Sequence, residues 1–253
     1  MELELWQFAV LFAAAFFGGF IDSIAGGGGL ISLPALLAVG IPPHVAIATN
    51  RFQGSFGSFT AALNFIRKGY VDAAEILRGV VFTFIGGLVG AYVLLLIDAK
   101  FLNYLIPILL LALFVYMIFS PNLGEAPAKP KMSKKSFYAI FGLVLGFYDG
   151  FFGPGTGSFW TFALVGILGL YMKKAVAHTK VLNFTSNIVS LGVFIIGGQI
   201  LWLVGAVMAV GQIAGSFAGS SLVMRCDVKF VRKMLLFVVA ATILKLLYGL
   251  IAN

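Results

Sequence analysis

Four charged side chains stand inside otherwise apolar segments of this sequence, in two matching sets. Asp22 and Asp149 each lie just before a cluster of glycines, while Arg51 and Lys180 each lie in the long apolar segment that follows. A charge at the centre of a lipid bilayer costs at least about 2.5 kcal/mol, and such charges therefore mark functional sites. Two acids and two bases in matching positions favour a site that binds a charged ligand.

The glycine clusters belong to two copies of one pattern. Residues 19–34 read GFIDSIAGGGGLISLP, and residues 146–161 read GFYDGFFGPGTGSFWT, so that Asp22 aligns with Asp149. Because glycine is unfavourable inside a helix, each cluster predicts a break between two helices. A helix that starts after such a break offers free N–H groups and a positive dipole end, which together bind anions.

The composition places this chain in a membrane. Of its 253 residues, 61% are hydrophobic and 10% are charged, and its mean hydropathy is +1.06. Soluble domains carry about 25% charged residues, so we predict an integral membrane protein whose surroundings are the lipid bilayer. The net charge of +8 lies in short loops, which indicates membrane topology and no nucleic-acid partner. The single cysteine, Cys226, excludes an intramolecular disulfide and a cysteine metal cluster. We predict no metal and no cofactor.

Apolar segments were compared with the roughly 20 residues that a helix needs to cross a bilayer. The predicted spans are 5–24, 44–66, 74–96, 101–119, 175–196, 201–223 and 231–251; a further helix, 136–152, leads into the second break, and the segments 30–39 and 158–170 are too short to cross. Residues 121–135 form the longest polar stretch. They predict a linker between a first repeat, 1–120, and a second repeat, 136–253.

Basic residues set the predicted topology. They cluster at residues 67–68, 129–135, 173–174 and 225–233, and the positive-inside rule places all four clusters in the cytoplasm. All four clusters can lie in the cytoplasm only if each broken segment returns to the side of the membrane from which it entered. The predicted fold is therefore an all-α polytopic membrane protein with two inverted repeats, each a re-entrant broken-helix hairpin plus three transmembrane helices. Both termini are expected in the periplasm.

The predicted substrate site combines the glycine breaks with the polar side chains around the two buried bases. Its predicted residues are Gly26, Gly27, Gly28, Gly29, Thr49, Asn50, Arg51, Gln53, Gly153, Gly155, Thr156, Gly157, Thr179, Lys180 and Asn183. Asp22, Asp149 and His178 are candidates for carrying a coupling proton. The competing interpretation is that the charges form buried ion pairs that hold the fold together, with Asp22 paired to Arg51.

A family resemblance rests on these same residues. The first glycine stretch with its aspartate, the run TNRFQ at residues 49–53 and the weaker second copy resemble the TauE/SafE sulfite exporter family, also called TSUP permeases. The resemblance covers nearly the whole chain. It implies a transporter in the bacterial inner membrane for small sulfur-containing anions such as sulfite, sulfonates or sulfoacetate.

Three functions were weighed. The leading hypothesis is a secondary transporter of small anions that is driven by a gradient of protons or another ion, since the sequence contains no phosphate-binding loop. An anion channel would use the same pocket. An intramembrane hydrolase could use Asp22 and Asp149 as a pair, but no protease motif is present, so we predict that the protein is not an enzyme. The sequence leaves the substrate, the direction of transport, the coupling ion and a homo-oligomeric state open.

Overall fold

The structure, a computed structural model, describes residues 3–98, 100–102, 104–106, 108–109, 111–112 and 129–223, and all regular secondary structure in these ranges is α-helical. The helices are α1 (Leu5–Ala25), α2 (Gly29–Ala38), α3 (Pro43–Arg67), α4 (Ala73–Leu96), α5 (the described residues of 100–112), α6 (Lys134–Phe151), α7 (Thr156–Gly166), α8 (Met172–Ile196) and α9 (Trp202–Val223). The predicted all-α class is confirmed for this part of the chain. The predicted span at 231–251 lies outside the described residues.

Four of the described helices, α1, α4, α8 and α9, are long and apolar enough to cross a membrane. Helix α3 is as long as α8, at 25 residues, but polar side chains interrupt its apolar sequence. Many of these polar residues are buried. The polar face of α3 therefore points into the protein, which is expected when a membrane helix lines an internal site.

Most predicted helix boundaries lie within two residues of the observed ones, but two are wrong. Helix α7 ends at Gly166, four residues before the predicted end, and Gly169 then adopts a positive φ of 69°. Helix α8 begins at Met172, so Lys173 and Lys174 lie in its first turn and not in a loop. Helix α6 begins at Lys134, inside the predicted linker, because Ser133 caps its N-terminus.

Both glycine clusters interrupt the helical structure as predicted. Helix α1 ends at Ala25 and α2 begins at Gly29, while α6 ends at Phe151 and α7 begins at Thr156. The aligned residues Gly26 and Gly153 have positive φ angles of 75° and 94°. Only glycine adopts this backbone conformation without a steric cost, which explains why glycine stands at both breaks.

Helices of the two halves pack against each other in pairs. Helix α4 packs against α6, and α9 packs against α1, so each helix pair contains one helix from each half. A Cβ atom at Gly90 of α4 would overlap the carbonyl oxygen of Phe147, and a Cβ atom at Gly219 of α9 would overlap that of Phe20. Phe147 and Phe20 are aligned residues of the two copies. The same close backbone contact is therefore made twice, once in each pair.

Charged side chains join the first turns of three helices at one end of the bundle. Glu75 of α4 lies 2.8 Å from Nζ of Lys134 on α6 and 2.7 Å from Nζ of Lys174 on α8. One turn further along α6 and α8, the hydroxyl group of Tyr138 lies 2.9 Å from Nδ1 of His178, whose side chain is fully buried. His178 thus belongs to this end of the bundle.

Substitution of Gly90 by alanine tests the close packing of α4 on α6. We expect Gly90→Ala to destabilise the protein by about 1–3 kcal/mol, because the added methyl group meets backbone atoms that no side-chain rotation can move. Thermal unfolding in detergent measures the effect. Gly192→Ala is the matched control, since no atom lies within 4 Å of a Cβ at that exposed helical glycine. Equal unfolding temperatures for the two variants would contradict the packing.

Candidate functional site

The two glycine breaks meet inside the protein. Gly26, in the first break, packs against the backbone of Gly157 at the start of α7. The hydroxyl group of Ser158 donates a hydrogen bond of 3.2 Å to the carbonyl oxygen of Gly26. Neither glycine has space for a side chain at this contact. The N-terminal ends of α2 and α7 consequently lie beside each other, as the sequence predicted for the two hairpins.

A polar cavity of about 50 Å³ lies beside this contact. Its lining is Asp22, Gly27, Gly28, Gly29, Ser32, Asn50, Arg51, Gln53, Gly54, Asp149, Gly153, Gly155, Gly157, Asn183, Asn187 and Gln212. One water molecule needs about 10–15 Å³ by this kind of measure. The cavity is therefore large enough for a few waters or for one small oxyanion.

Arg51 and Asp149 form a buried ion pair across this cavity. Nη1 of Arg51 lies 2.7 Å from Oδ1 of Asp149 and donates a second hydrogen bond, of 2.8 Å, to Oδ1 of Asn187. The other carboxylate oxygen of Asp149 accepts a hydrogen bond from Ser186. Both charged side chains are only 4% exposed. A flat guanidinium group fits here because Gly153, which packs against it, has no side chain.

Lys180 and Asp22 form the second ion pair. Nζ of Lys180, whose side chain is fully buried, lies 2.8 Å from Oδ2 of Asp22. Oδ1 of Asp22 accepts hydrogen bonds of 3.1 and 3.2 Å from the backbone N–H groups of Gly27 and Gly28. These N–H groups precede the first turn of α2. The positive end of that helix is therefore occupied by a carboxylate of the protein itself.

The pairing is crossed between the halves, so the Asp22–Arg51 pair of the competing interpretation is wrong. The acid of the first half bonds the base of the second half, and the base of the first half bonds the acid of the second. The physical reason is the way the halves pack. Helix α3 lies against α8, and both glycine breaks meet beside these two helices, so each base comes within reach of the other half's aspartate.

The two aspartates also differ in what they bond besides the bases. In the first half, Asp22 accepts hydrogen bonds from the N–H groups of Gly27 and Gly28. In the second half, the residue that aligns with Gly27 is Pro154, which has no N–H group. Asp149 bonds side chains of α3 and α8 instead. This sequence difference removes one of the two backbone N–H groups that an aspartate could bond in the second half.

Several polar atoms of the lining residues lack a partner within the described part of the chain. They are Nε and Nη2 of Arg51, Oε1 of Gln53 and Oδ1 of Asn183, all buried. An unpaired buried polar atom costs about 1–3 kcal/mol, and a charged one costs more. The two guanidinium nitrogens are donors, and the two amide oxygens are acceptors. The cavity is thus equipped to hydrogen-bond a polar guest.

The structure brings most of the predicted site residues to this cavity. Five of them do not line the cavity but contact other residues. Gly26 lies in the contact between the breaks, Thr156 bonds the carbonyl oxygen of Gly153, and Lys180, behind the lining, bonds Asp22. Thr49 bonds the N–H group of Leu201, and Thr179 bonds Thr161. His178, a candidate for proton coupling, bonds Tyr138 and does not line the cavity.

Sequence reasoning did not assign four lining residues to the site: Ser32, Gly54, Asn187 and Gln212. Asn187 lies two turns beyond Lys180 on α8, so the helical period could have placed it on the same face. Gln212 is a long polar side chain in the middle of the apolar helix α9, which is itself a signal. Ser32 donates a hydrogen bond of 2.6 Å to Asn50, which no pattern in the sequence indicated.

Comparison with known proteins identifies the family. The sequence profile described as "Sulfite exporter TauE/SafE" matches residues 11–246. The chain belongs to the TauE/SafE family. It is 42% identical to a "Probable membrane transporter protein" of Haemophilus influenzae over 98% of this chain and 97% of that protein. It is 44% identical to "Probable membrane transporter protein YfcA" of Escherichia coli K12, over 94% and 89% of the two chains. No solved structure matches.

Membership of the TauE/SafE family and the apolar helices together make this protein a membrane transporter. The predicted resemblance is confirmed. A "Probable membrane transporter protein ORF9" of Sinorhizobium is similar over a comparable length, with 41% identity over 97% of this chain and 94% of that protein. The names of these relatives specify a membrane transporter and no substrate.

Double-mutant cycles test the crossed pairing in this TauE/SafE protein. We expect Arg51→Gln and Asp149→Asn each to cost about 3–5 kcal/mol of folding free energy, because each leaves a buried charge without its partner. The double variant should lose much less than the sum of the two. The stability of purified protein against a denaturant measures these differences.

The control cycle combines Arg51→Gln with Asp22→Asn. These residues belong to different pairs, so the double variant leaves both Asp149 and Lys180 without their partners. The coupling energy should be smaller than that of Arg51 with Asp149, because the two changed side chains do not bond each other. A larger coupling energy for Arg51 with Asp22 than for Arg51 with Asp149 would show that the pairing is not crossed.

Proposed function

We propose that this protein is a secondary transporter of small sulfur-containing anions, such as sulfite, sulfonates or related organosulfur anions. A proton gradient or another ion gradient drives it by alternating access in the bacterial inner membrane. The family profile, described as a sulfite exporter, supports this substrate class. The cavity between the glycine breaks is the proposed binding site.

The observation that carries the proposal is the state of Arg51. Arg51 lines the cavity, and its guanidinium group uses Nη1 for Asp149 and Asn187, while Nε and Nη2 are buried without a partner in the described residues. Nε and one Nη atom form the edge of a guanidinium group that bonds two oxygens of an oxyanion at once. A sulfite or sulfonate group supplies such a pair of oxygens.

Helix geometry and cavity size also fit a small oxyanion. Backbone groups of both breaks line the cavity, from Gly27 to Gly29 and at Gly153, Gly155 and Gly157. Helix N-termini attract negative charge, and their N–H groups hydrogen-bond it. A volume of about 50 Å³ holds the three oxygens of a sulfonate head group. A longer organic tail requires an open end, which alternating access provides on one side at a time.

The paired packing of helices from the two halves supports an inverted-repeat transporter. The pair formed by α4 and α6 repeats the backbone contact of the pair formed by α9 and α1. Many transporters consist of two such repeats related by a pseudo-two-fold axis in the membrane plane, with discontinuous helices that meet near the midplane. In this proposal the two hairpins are re-entrant, and rocking of one half against the other opens the cavity to each side in turn.

Replacement of Arg51 tests the binding site. We expect Arg51→Ala to abolish binding of sulfite and methanesulfonate, because the fork that holds two oxygens is lost. Arg51→Lys should restore only part of the affinity, since an ammonium group lacks that fork. Calorimetry on purified protein measures the affinities. Arg67→Ala, at the exposed end of the same helix, is the matched control and should bind like the unmodified protein.

The double variant Arg51→Ala with Asp149→Asn distinguishes a loss of protein stability from a direct loss of anion binding. Removing both partners takes away the unpaired charge and should restore folding. Binding should stay lost. If the double variant folds and binds these anions normally, Arg51 is structural and the proposed site is wrong.

Uphill uptake into proteoliposomes along an imposed proton gradient distinguishes a transporter from a channel, which only lets the anion equilibrate.

Topology is tested by labelling single cysteines. We expect a cysteine at Glu2 to react with an impermeant maleimide from the periplasm, and a cysteine at Lys131 to react only from the cytoplasm, in a Cys226→Ser background. The reason is the basic composition of residues 129–135 and the odd number of crossings per repeat. Labelling of both positions from the same side contradicts the inverted topology.

A further inference from the structure

The carboxylate of Asp22 holds the same groups that an anion would need in the first half of the site. Oδ1 accepts hydrogen bonds from the N–H groups of Gly27 and Gly28, and Oδ2 accepts one from Lys180. Gly27 and Gly28 also line the cavity, together with Asp22 itself. The positive end of α2 is therefore already satisfied by a negative group that belongs to the protein.

We propose that ionised Asp22 is an internal competitor of the transported anion, so that each anion enters the site together with one proton. The inference rests on the anion-binding function proposed above and specifies how that site is coupled to protons. A proton on Asp22 neutralises its carboxylate. The backbone N–H groups of Gly27 and Gly28, which line the cavity, then lose their anionic partner and become available to the substrate. Lys180, behind the lining, keeps a negative charge nearby because the substrate brings one.

The balance of charges requires this exchange. In the structure, Asp22 and Asp149 balance Arg51 and Lys180, so the buried site has no net charge. An added monoanion would leave one uncompensated negative charge in a low-dielectric interior, which is costly. If one proton binds to Asp22 at the same time, the sum returns to zero. The site consequently takes one proton with each monoanion, and their joint movement carries no net charge.

Asp22 is placed better than Asp149 to take the proton. Asp149 is only 4% exposed and bonds Arg51 and Ser186, whereas the side chain of Asp22 is 22% exposed. The partner of Asp149 is a guanidinium group, which stays charged at all relevant pH values. Protonation of Asp149 would therefore leave the buried charge of Arg51 without a partner. The groups that it frees, Arg51 and Ser186, are side chains, so no helix N-terminus becomes available to the anion.

Within residues 3–112 and 129–223, as far as the structure describes them, the charged neighbours of Asp22 come from three helices. Lys180 on α8, Arg51 on α3 and Asp149 on α6 face the cavity or its lining. Helices α2, α7 and α9, which also contact the region, have no acidic, basic or histidine residue. His178, on α8, bonds Tyr138 instead. The described surroundings of Asp22 thus contain no second carboxylate that also binds a helix N-terminus.

Calorimetry with methanesulfonate tests the inference. This probe stays a monoanion between pH 5.5 and pH 8.5, so any pH dependence belongs to the protein. The dissociation constant should rise with pH, by up to about tenfold per pH unit, because binding requires uptake of a proton. Titrations in two buffers with different ionisation enthalpies count that proton. We expect close to one proton per anion for the unmodified protein.

Asp22→Asn should bind methanesulfonate with a dissociation constant that hardly changes with pH, should bind it at least about tenfold more tightly at pH 8, and should take up no proton. Asp72→Asn is the matched control, since Asp72 is an exposed carboxylate that also accepts a backbone hydrogen bond, from Ala74. It should keep the proton uptake. If Asp22→Asn does not fold, Asp22→Ser replaces it, and the proton count of the unmodified protein is informative without any variant.

The possible failures are distinct. Binding without proton uptake in the unmodified protein overturns the inference and leaves the proposed transport function intact. Proton uptake that persists in Asp22→Asn also overturns it, because another group then carries the proton. If no variant binds methanesulfonate, sulfite, sulfate or thiosulfate at any pH, the proposed function fails together with the inference.

Discussion

The crossed ion pairs are the constraint on which the rest of this structure depends. Four charged side chains lie where burial is costly, and each is tolerated because a partner from the other half of the chain lies within 2.8 Å. Neither half could hold its charges alone in this arrangement. The pairs therefore hold the halves in register, and any movement of one half against the other must separate them or replace them with another charge.

Glycine makes this arrangement sterically possible at three levels. At the breaks, Gly26 and Gly153 adopt positive φ angles, which ends one helix and lets the next begin inside the protein. Between the breaks, the lack of a side chain at Gly26 lets it contact Gly157 directly. Between the helices, glycines of α4 and α9 allow close backbone approach. The charged groups can then meet around one small cavity.

The two halves of the site are similar in plan and different in chemistry. One pair combines arginine with an aspartate that bonds only side chains, and the other combines lysine with an aspartate that caps a helix. The arginine of the first pair stays charged, because a guanidinium group does not release its proton. The second contains the more exposed carboxylate and adjoins a helix N-terminus.

The sequence by itself determined the helices, the breaks and the residue types of the site, because these depend on local properties. Hydropathy and length located the helices, mostly to within two residues, and glycine clusters located the breaks. Charges inside apolar segments identified Asp22, Arg51, Asp149 and Lys180. Only the tertiary structure decided which acid bonds which base, and that Ser32 and Gln212 line the cavity. Those contacts join residues distant in sequence, and helix packing, which no local pattern encodes, brings them together.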